Sequence, residues 1–361
     1  MPGRRNLINF FYAPPVGHAI EALHYAHGHH LGGLEVSVVL NAATPVELAG
    51  FCPWVREAYA VEHDLFDPAP PPLGHIPREW DRVLDDARRH QPMQLELFPG
   101  LRSYYEACDA HFAAARGAAG FTPPYRAHQP LRLALPEPLR EAARERVGAG
   151  PAIAVMPAGS SERALYPSLG AWERILDALP DARVVLIGRL GRDERTSTAF
   201  GADELAALRA HRTAPLDGFD LPLPEQLALV EACDVFLAPH TGFGLAALAV
   251  GTPWLALSGG RWFEYWFNHV PFRSVIPDTE RFPCFSQFEP AAVVDGRTPS
   301  MSDERFAADL DRIAAAAEEL LAGTLGYDRA LREYFADLLA AHGGDASAIW
   351  SIDGVHAAYV R

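Results

Sequence analysis

The chain has 361 residues, 49% hydrophobic and 21% charged, enough for two globular domains with large cores. Its formal net charge of −15 argues against a general binder of nucleic acid or anionic membrane, while leaving room for a local basic pocket. It contains no lysine, so all 31 basic residues are arginine, which removes Schiff-base and pyridoxal-phosphate chemistry and the P-loop lysine in one step.

The four cysteines, Cys52, Cys108, Cys233 and Cys284, lie far apart without metal-ligand spacing, so a reduced, cytoplasmic setting is expected. The apolar run near the N-terminus is too short for a signal-peptide core or a membrane span. It reads instead as a first strand, Leu7 to Tyr12. A loop from Ala13 to His18 follows, then a helix from Ala19 to His27 ending at Gly28, and strands at Leu34–Leu40 and Val55–Val61. Strand, glycine loop, helix and strand in that order open a doubly wound α/β domain, whose ligands sit beyond the carboxyl ends of the strands.

His18 falls at that edge and is a candidate general base, because imidazole titrates near neutrality. An N-terminal helix residue without chemical role is the equal alternative. Glu21, one turn on, can orient the ring or take its place. Pro15 and Gly17 would line the acceptor side. The histidines at 24, 27, 29 and 30 cross a helix end, so a solvated terminus is favoured over a metal site. Residues 64–77 are proline-rich and form a long loop near the ligand edge, open to acceptor binding. Helices are expected at Arg78–His90, with Trp80, Val83, Leu84 and Ala87 on one face, and at Leu101–Gly117.

The stretch 121–138 carries five prolines and a short strand-like Leu131–Leu135, and reads as a linker. A charged helix, Leu139–Val147, precedes a second α/β pattern. It has strands at Ala152–Met156, Arg183–Ile187, Val235–Ala238 and Trp254–Leu257, and helices at Leu169–Leu179, Ala202–Arg209, Leu223–Cys233 and Leu245–Val250. Two glycine-bearing loops fall on one edge of this sheet, Pro157-Ala158-Gly159-Ser160-Ser161 and His240-Thr241-Gly242-Phe243-Gly244. Glycines at a strand-to-helix turn let backbone N–H groups approach an anion. Arg163 and Arg189 add charge, so the parts of a diphosphate cradle are present without lysine. Trp262, in the aromatic run Arg261–Phe267, can stack on a sugar or base or plug a domain interface. Helices at Asp303–Leu321 and Tyr327–His342 close the chain.

Met156-Pro157-Ala158-Gly159-Ser160, with Tyr166-Pro167 and Trp172, resembles the "PG-S … K-x-W-P … W" segment of the heptosyltransferase-like family 9 glycosyltransferases. His240-Thr241-Gly242 and Ala246 to Pro253 resemble that family's "D-S-G-P-x-H-L-A-A-A-L-G-T-P". The resemblance implies an α/β GT-B architecture, two Rossmann-like doubly wound domains facing each other across a cleft. With the linker and the restarted pattern, the chain divides into an acceptor domain at 1–148, a nucleotide-sugar domain at 149–325 and a C-terminal helix, 326–361, long enough to cross back to the first domain. The resemblance implies an inverting, metal-independent transfer from a nucleotide-diphosphate sugar, with no further cofactor, to a small-molecule or saccharide acceptor. Ser160, Ser161, Thr241 and Gly242 would hold the diphosphate. The family's aspartate is His240 here, its histidine is Leu245, and its lysine has at most Arg163 nearby. Gly17-His18 looks more like the Gly-His of natural-product glycosyltransferases, in which the histidine is the base. Two rivals remain: a sugar-nucleotide-binding partner subunit without activity, favoured by the lost aspartate and histidine, and a nucleotide-sugar epimerase, which would want carboxylates in the cleft.

Overall fold

The computed structural model describes residues 5–12, 16–127, 129–190, 199–259, 268–283 and 297–346. The chain forms two compact units, Met1–Ala134 and Leu135–Arg361. Among the described residues no helix is long and apolar enough to cross a membrane.

The first unit is built on β1 (Arg5–Phe10), β2 (Glu35–Asn41), β3 (Val55–Val61), β4 (Glu79–Asp85) and β5 (Ala113–Ala118). All pair in parallel, in the order β3-β2-β1-β4-β5. The order reverses at β1, so the topological switch point lies between β1 and β4, where open α/β sheets bind ligands. The helices are α1 (Val16–Leu31), α2 (Pro92–Leu97) and α3 (Pro99–His111). The β1 and β2 interiors are continuously buried, as parallel strands require. Leu7, Phe11, Val39, Trp80 and Tyr104 belong to one core cluster on this sheet.

Three expectations for this unit fail for identifiable reasons. The first helix does not end at Gly28 but runs on to Leu31. Gly28 is needed for close approach, since a Cβ there would lie 2.2 Å from the Tyr125 ring and 2.8 Å from the Arg126 carbonyl. Arg78–His90 is not a helix. It holds β4, followed by a single 3₁₀ turn at Ala87–His90. The apolar spacing fits a helical template, but the charged residues of this segment have partners only as a strand between β1 and β5. Asp81 accepts the Arg5 N–H at 2.7 Å, and Asp85 accepts from Asn9 and Arg116 at 2.7 and 2.8 Å. The third expected helix stops at His111, and the alanine-rich run behind it becomes β5, tertiary pairing with β4 overriding helix propensity. Leu131–Leu135 joins no sheet, yet Leu131, Leu133 and Leu135 are each buried, alternating like a strand.

The second unit contains α4 (Glu137–Val147), β6 (Ala152–Val155), α5 (Leu169–Ala178), β7 (Arg183–Leu186), α6 (Ala202–Arg209), β8 (Leu216–Asp217), α7 (Leu223–Glu231), β9 (Val235–Pro239), α8 (Gly242–Val250), β10 (Trp254–Leu257), β11 (Phe272–Val275), α9 (Asp303–Leu321) and α10 (Tyr327–Ala341). The sheet is parallel, in the order β11-β10-β9-β6-β7-β8, with its switch point between β6 and β9. Ser168 and Ser302 cap α5 and α9 through their hydroxyls, at 3.0 and 3.2 Å from the N–H of Ala171 and Arg305. Gly251 takes the left-handed conformation that ends α8, with φ 94°. Gly244 leaves room for the Trp254 indole, which a Cβ would meet at 2.2 Å. The charged helix α4 lies in this unit, where Arg140 bonds Glu231 of α7 at 2.9 Å. The helix α10 packs on β11, Tyr334 edge-on to Phe272 at 5.5 Å between ring centroids.

Candidate functional site

In the first unit the two loops at the switch point bring together residues distant in sequence. α1 carries His18 and Glu21 one turn apart, and the turn after β4 carries Asp86 and Arg88. His18 Nδ1 lies 3.1 Å from Glu21 Oε2. The Arg88 guanidinium donates to the same oxygen at 3.1 Å and to Oε1 at 3.4 Å. It also donates to Asp86 Oδ2 at 2.7 Å, while Asp86 Oδ1 accepts the Arg88 backbone N–H at 3.0 Å. The four side chains form one hydrogen-bonded line that surfaces at its histidine end. Glu21, Asp86 and Arg88 are 5%, 4% and 15% exposed, and His18 is 27% exposed.

The electrostatics fix the proton positions. Burial alone would raise the Glu21 pKa, but the Arg88 charge and the His18 hydrogen bond outweigh it and hold the carboxyl below its usual range. An ionised Glu21 can only accept, so His18 Nδ1 carries the hydrogen of their shared bond. Burial raises the pKa of Asp86, against the pull of Arg88. Arg88 is held more firmly protonated than usual, because the two carboxylates exceed its desolvation cost. Tyr12, after β1, sets its ring edge-on to His18 at 4.9 Å and under the Arg88 guanidinium at 4.3 Å. Arg88 and Asp86 escape a sequence reading that takes 78–90 as helix, and Tyr12 reads there only as the end of the first strand. The Asp-Asp-Ala-Arg-Arg run after a strand is the signal that could have found them.

The remaining candidates of this unit have local explanations. Gly17 is buried in the first turn of α1, and Pro15 lies outside the described residues. Asp64 and Asp67, the carboxylates nearest the 64–77 loop, accept the N–H of Phe66 and Ala69 at 2.8 and 2.9 Å and shape their own loop. Of the histidine cluster, His27 and His30 pack on Trp54, with ring centroids 4.9 and 5.6 Å away. Among the described residues no group of three or more His, Cys, Asp or Glu is placed to hold a metal ion.

In the second unit the loops after β6 and β9 meet at the switch point. A Cβ on Gly159 would stand 3.1 Å from the Thr241 side chain and 2.7 Å from the Tyr166 hydroxyl. That hydroxyl accepts the Ser161 N–H at 3.0 Å. Ser160 and Ser161 are exposed, and Gly242 begins α8 beside them. The Thr241 hydroxyl faces Met156 Sδ at 3.8 Å instead of capping its helix, so the first amides of α8 have no side-chain cap. Several donor-site candidates are committed elsewhere. Arg163 bonds Glu204 and donates to the Pro167 carbonyl at 2.7 Å. Phe243 turns into the core against Phe236, 5.6 Å between centroids, and Gly244 serves the packing of Trp254. His240 is half-buried at the end of β9, and Arg189 is half-buried beyond β7, one strand further from the switch point. Trp262 and the rest of the 261–267 aromatic run lie outside the described residues.

These two sites sit on a recognisable scaffold. No protein-family model matches the sequence, and a search of curated proteins returns no match. Solved structures do match along most of the chain. A glycosyl transferase family 9 protein from Veillonella parvula aligns with a TM-score of 0.58 at 13% identity, over 89% of this chain and 98% of its own. The E. coli ADP-heptose LPS heptosyltransferase II aligns with a TM-score of 0.50 at 16% identity, over 86% of this chain and 99% of its own. The dodecameric, iron-containing heptosyltransferase TibC also aligns with a TM-score of 0.50, at 16% identity, over 88% of this chain and 77% of its own. The chain has the GT-B fold. At these identities the likeness concerns fold alone, and chemistry has to be argued from the two sites.

Proposed function

We propose that the protein is an inverting, metal-independent glycosyltransferase that moves a sugar from a nucleotide-diphosphate sugar to an acceptor hydroxyl. The observation that carries this reading is the His18–Glu21–Arg88–Asp86 line at the first switch point, whose histidine end is partly exposed. In the proposed reaction the acceptor oxygen attacks the anomeric carbon from the face opposite the diphosphate. The new C–O bond forms as the old one breaks, and the nucleoside diphosphate leaves with the electron pair. His18 Nε2 takes the acceptor proton, and ionised Glu21 stabilises the imidazolium that forms. Arg88 keeps Glu21 charged, and Asp86 balances Arg88. The His–Glu pair favours an enzyme over a non-catalytic partner subunit.

The diphosphate would be received in the second unit by Ser160, Ser161, Thr241, Gly242 and the uncapped amides of α8, whose dipole favours an anion. His240 and Arg189 would flank this donor site, while Phe243 and Gly244 anchor α8 to the sheet beneath it. Arg163 supports it by fixing the 163–167 turn. The heptosyltransferase resemblance makes a nucleotide sugar the natural donor, and its base and sugar are for the assay to name.

The test is a thermal-shift panel of UDP, GDP, dTDP, ADP and CDP, followed by transfer assays with the corresponding sugars. A nucleotide at about 100 times its Kd stabilises the folded state by about 2.7 kcal/mol. The reading requires one nucleotide to shift the melting temperature and its sugar conjugate to be consumed, in EDTA as well as in buffer. No shift by any nucleotide would sink it, and turnover restored only by a divalent cation would remove the metal-independent mechanism.

A further inference from the structure

Phe66, Met93 and Leu97 are 64%, 64% and 58% exposed. Leaving a phenylalanine in water forgoes about 1.5–3 kcal/mol of burial, so a free loop would fold the ring inward. This loop is held in place. Gly100 donates its N–H to the Leu65 carbonyl at 2.7 Å, the Ser103 hydroxyl lies 3.1 Å from the Ala69 carbonyl, and Asp64 accepts the N–H of Phe66 itself. The backbone on both sides of Phe66 is fixed while its side chain stands out.

A continuous series of ring contacts leads from Phe66 to the proposed base. Phe66 meets Phe98 edge-on at 5.5 Å between centroids, Phe98 meets Tyr12 edge-on at 6.0 Å, and Tyr12 meets His18 edge-on at 4.9 Å. The Tyr12 hydroxyl donates to Gln94 at 3.3 Å, tying α2 to the same strip. Met93 and Leu97 lie one turn apart on one side of α2.

The strip itself, Phe66, Phe98, Met93 and Leu97, carries no side-chain hydrogen-bonding group, and Gln94 beside it accepts from Tyr12. Met, Leu and Phe offer nothing to replace the water on a saccharide's hydroxyls, and stripping that water without replacement is costly. Glu62, Asp64, Asp67 and Glu96 stand exposed in the same two segments, so the local charge repels anionic ligands and anionic lipid.

We propose that the acceptor is an apolar, ring-bearing alcohol or phenol without anionic groups, received on Phe66 and Phe98 and led past Tyr12 to His18. This rests on the transferase reading for its chemistry. The acceptor O–H proton goes to His18 Nε2 as its oxygen bonds the anomeric carbon and the diphosphate departs with the electrons of the broken bond.

The experiment measures equilibrium binding without any donor, by calorimetry, of three ring compounds (7-hydroxycoumarin, naringenin and estradiol) and three saccharides (glucose, maltose and lactose). At least one ring compound binds saturably, and no saccharide does at the same concentrations. Phe66→Ser, and separately Met93→Ser with Leu97→Ser, weaken that binding by about tenfold, with melting temperature unchanged. No binding by any ring compound, binding by a saccharide, or ring-compound binding unaltered in Phe66→Ser overturns the proposal. So does Phe66-dependent sedimentation with phosphatidylcholine vesicles, which assigns the strip to a lipid surface. Because no sugar donor is present, a failure of sugar transfer and a failure of this proposal give separate results.

Discussion

Arg88 and His18 meet on one atom: each lies 3.1 Å from Oε2 of Glu21. The arginine holds the carboxylate that holds the histidine, so a residue without a hydrogen bond to the imidazole sets its orientation.

Arg88 is therefore expected to matter for both folding and turnover. Replacing it with glutamine leaves Glu21 and Asp86 buried without their shared cation, and an uncompensated buried charge costs about 3–5 kcal/mol. The urea midpoint of Arg88→Gln should fall accordingly, and its kcat should fall because Glu21 no longer stays ionised beside His18. Arg88→Lys keeps the charge but not the fork that serves two carboxylates, so it should lie between. Equal midpoints for wild type and Arg88→Gln would contradict the charge line.

His29 supplies a pH dependence. It is fully buried, its Nδ1 lies 2.9 Å from the Pro124 carbonyl, and its Nε2 accepts the Gly120 N–H at 3.2 Å. Nδ1 thus donates and Nε2 accepts, which only the neutral ring can do. Burial lowers its pKa below the ordinary 6.5, a direction the Arg82 charge reinforces and the Pro124 bond opposes. With the folded pKa depressed, the unfolded state binds the proton more readily. The stabilisation is present above pH 6.5 and declines as pH falls toward the folded value. Unfolding free energy should drop on acidification below that point, and His29→Gln should flatten the slope. An unchanged slope would remove the tautomer argument.

Gly244→Ala tests the packing of the second sheet. The added methyl meets the Trp254 ring at 2.2–2.4 Å, with little room for the indole to give. Overpacking of this kind costs about 1–3 kcal/mol, read as a lower denaturant midpoint. A neutral variant would mean that the indole moves freely.

Much of this was legible in the sequence. Where apolar runs end in Gly or Pro, as at Val235–Pro239 and before Gly251, strand and helix need no tertiary information to be read. His18 and Glu21 could be paired because i and i+3 share a helix face. What stayed hidden depends on contacts between distant segments. β4 imitates a helix because Trp80, Val83, Leu84 and Ala87 follow helical spacing, and with β4 misread its neighbours Asp86 and Arg88 could not be placed at the switch point. β5 is alanine-rich and becomes a strand only by pairing. Arg163 looked available for phosphate because Glu204, its partner, lies 41 residues on.

The central claim is that His18 is the base. His18→Ala should lower kcat by about 10²–10⁴-fold while leaving nucleotide affinity nearly unchanged, and Glu21→Gln should do less, since it acts through the ring. A small effect at His18 together with a large one at Glu21, Asp64 or Asp67 would contradict the account and move the base to a carboxylate.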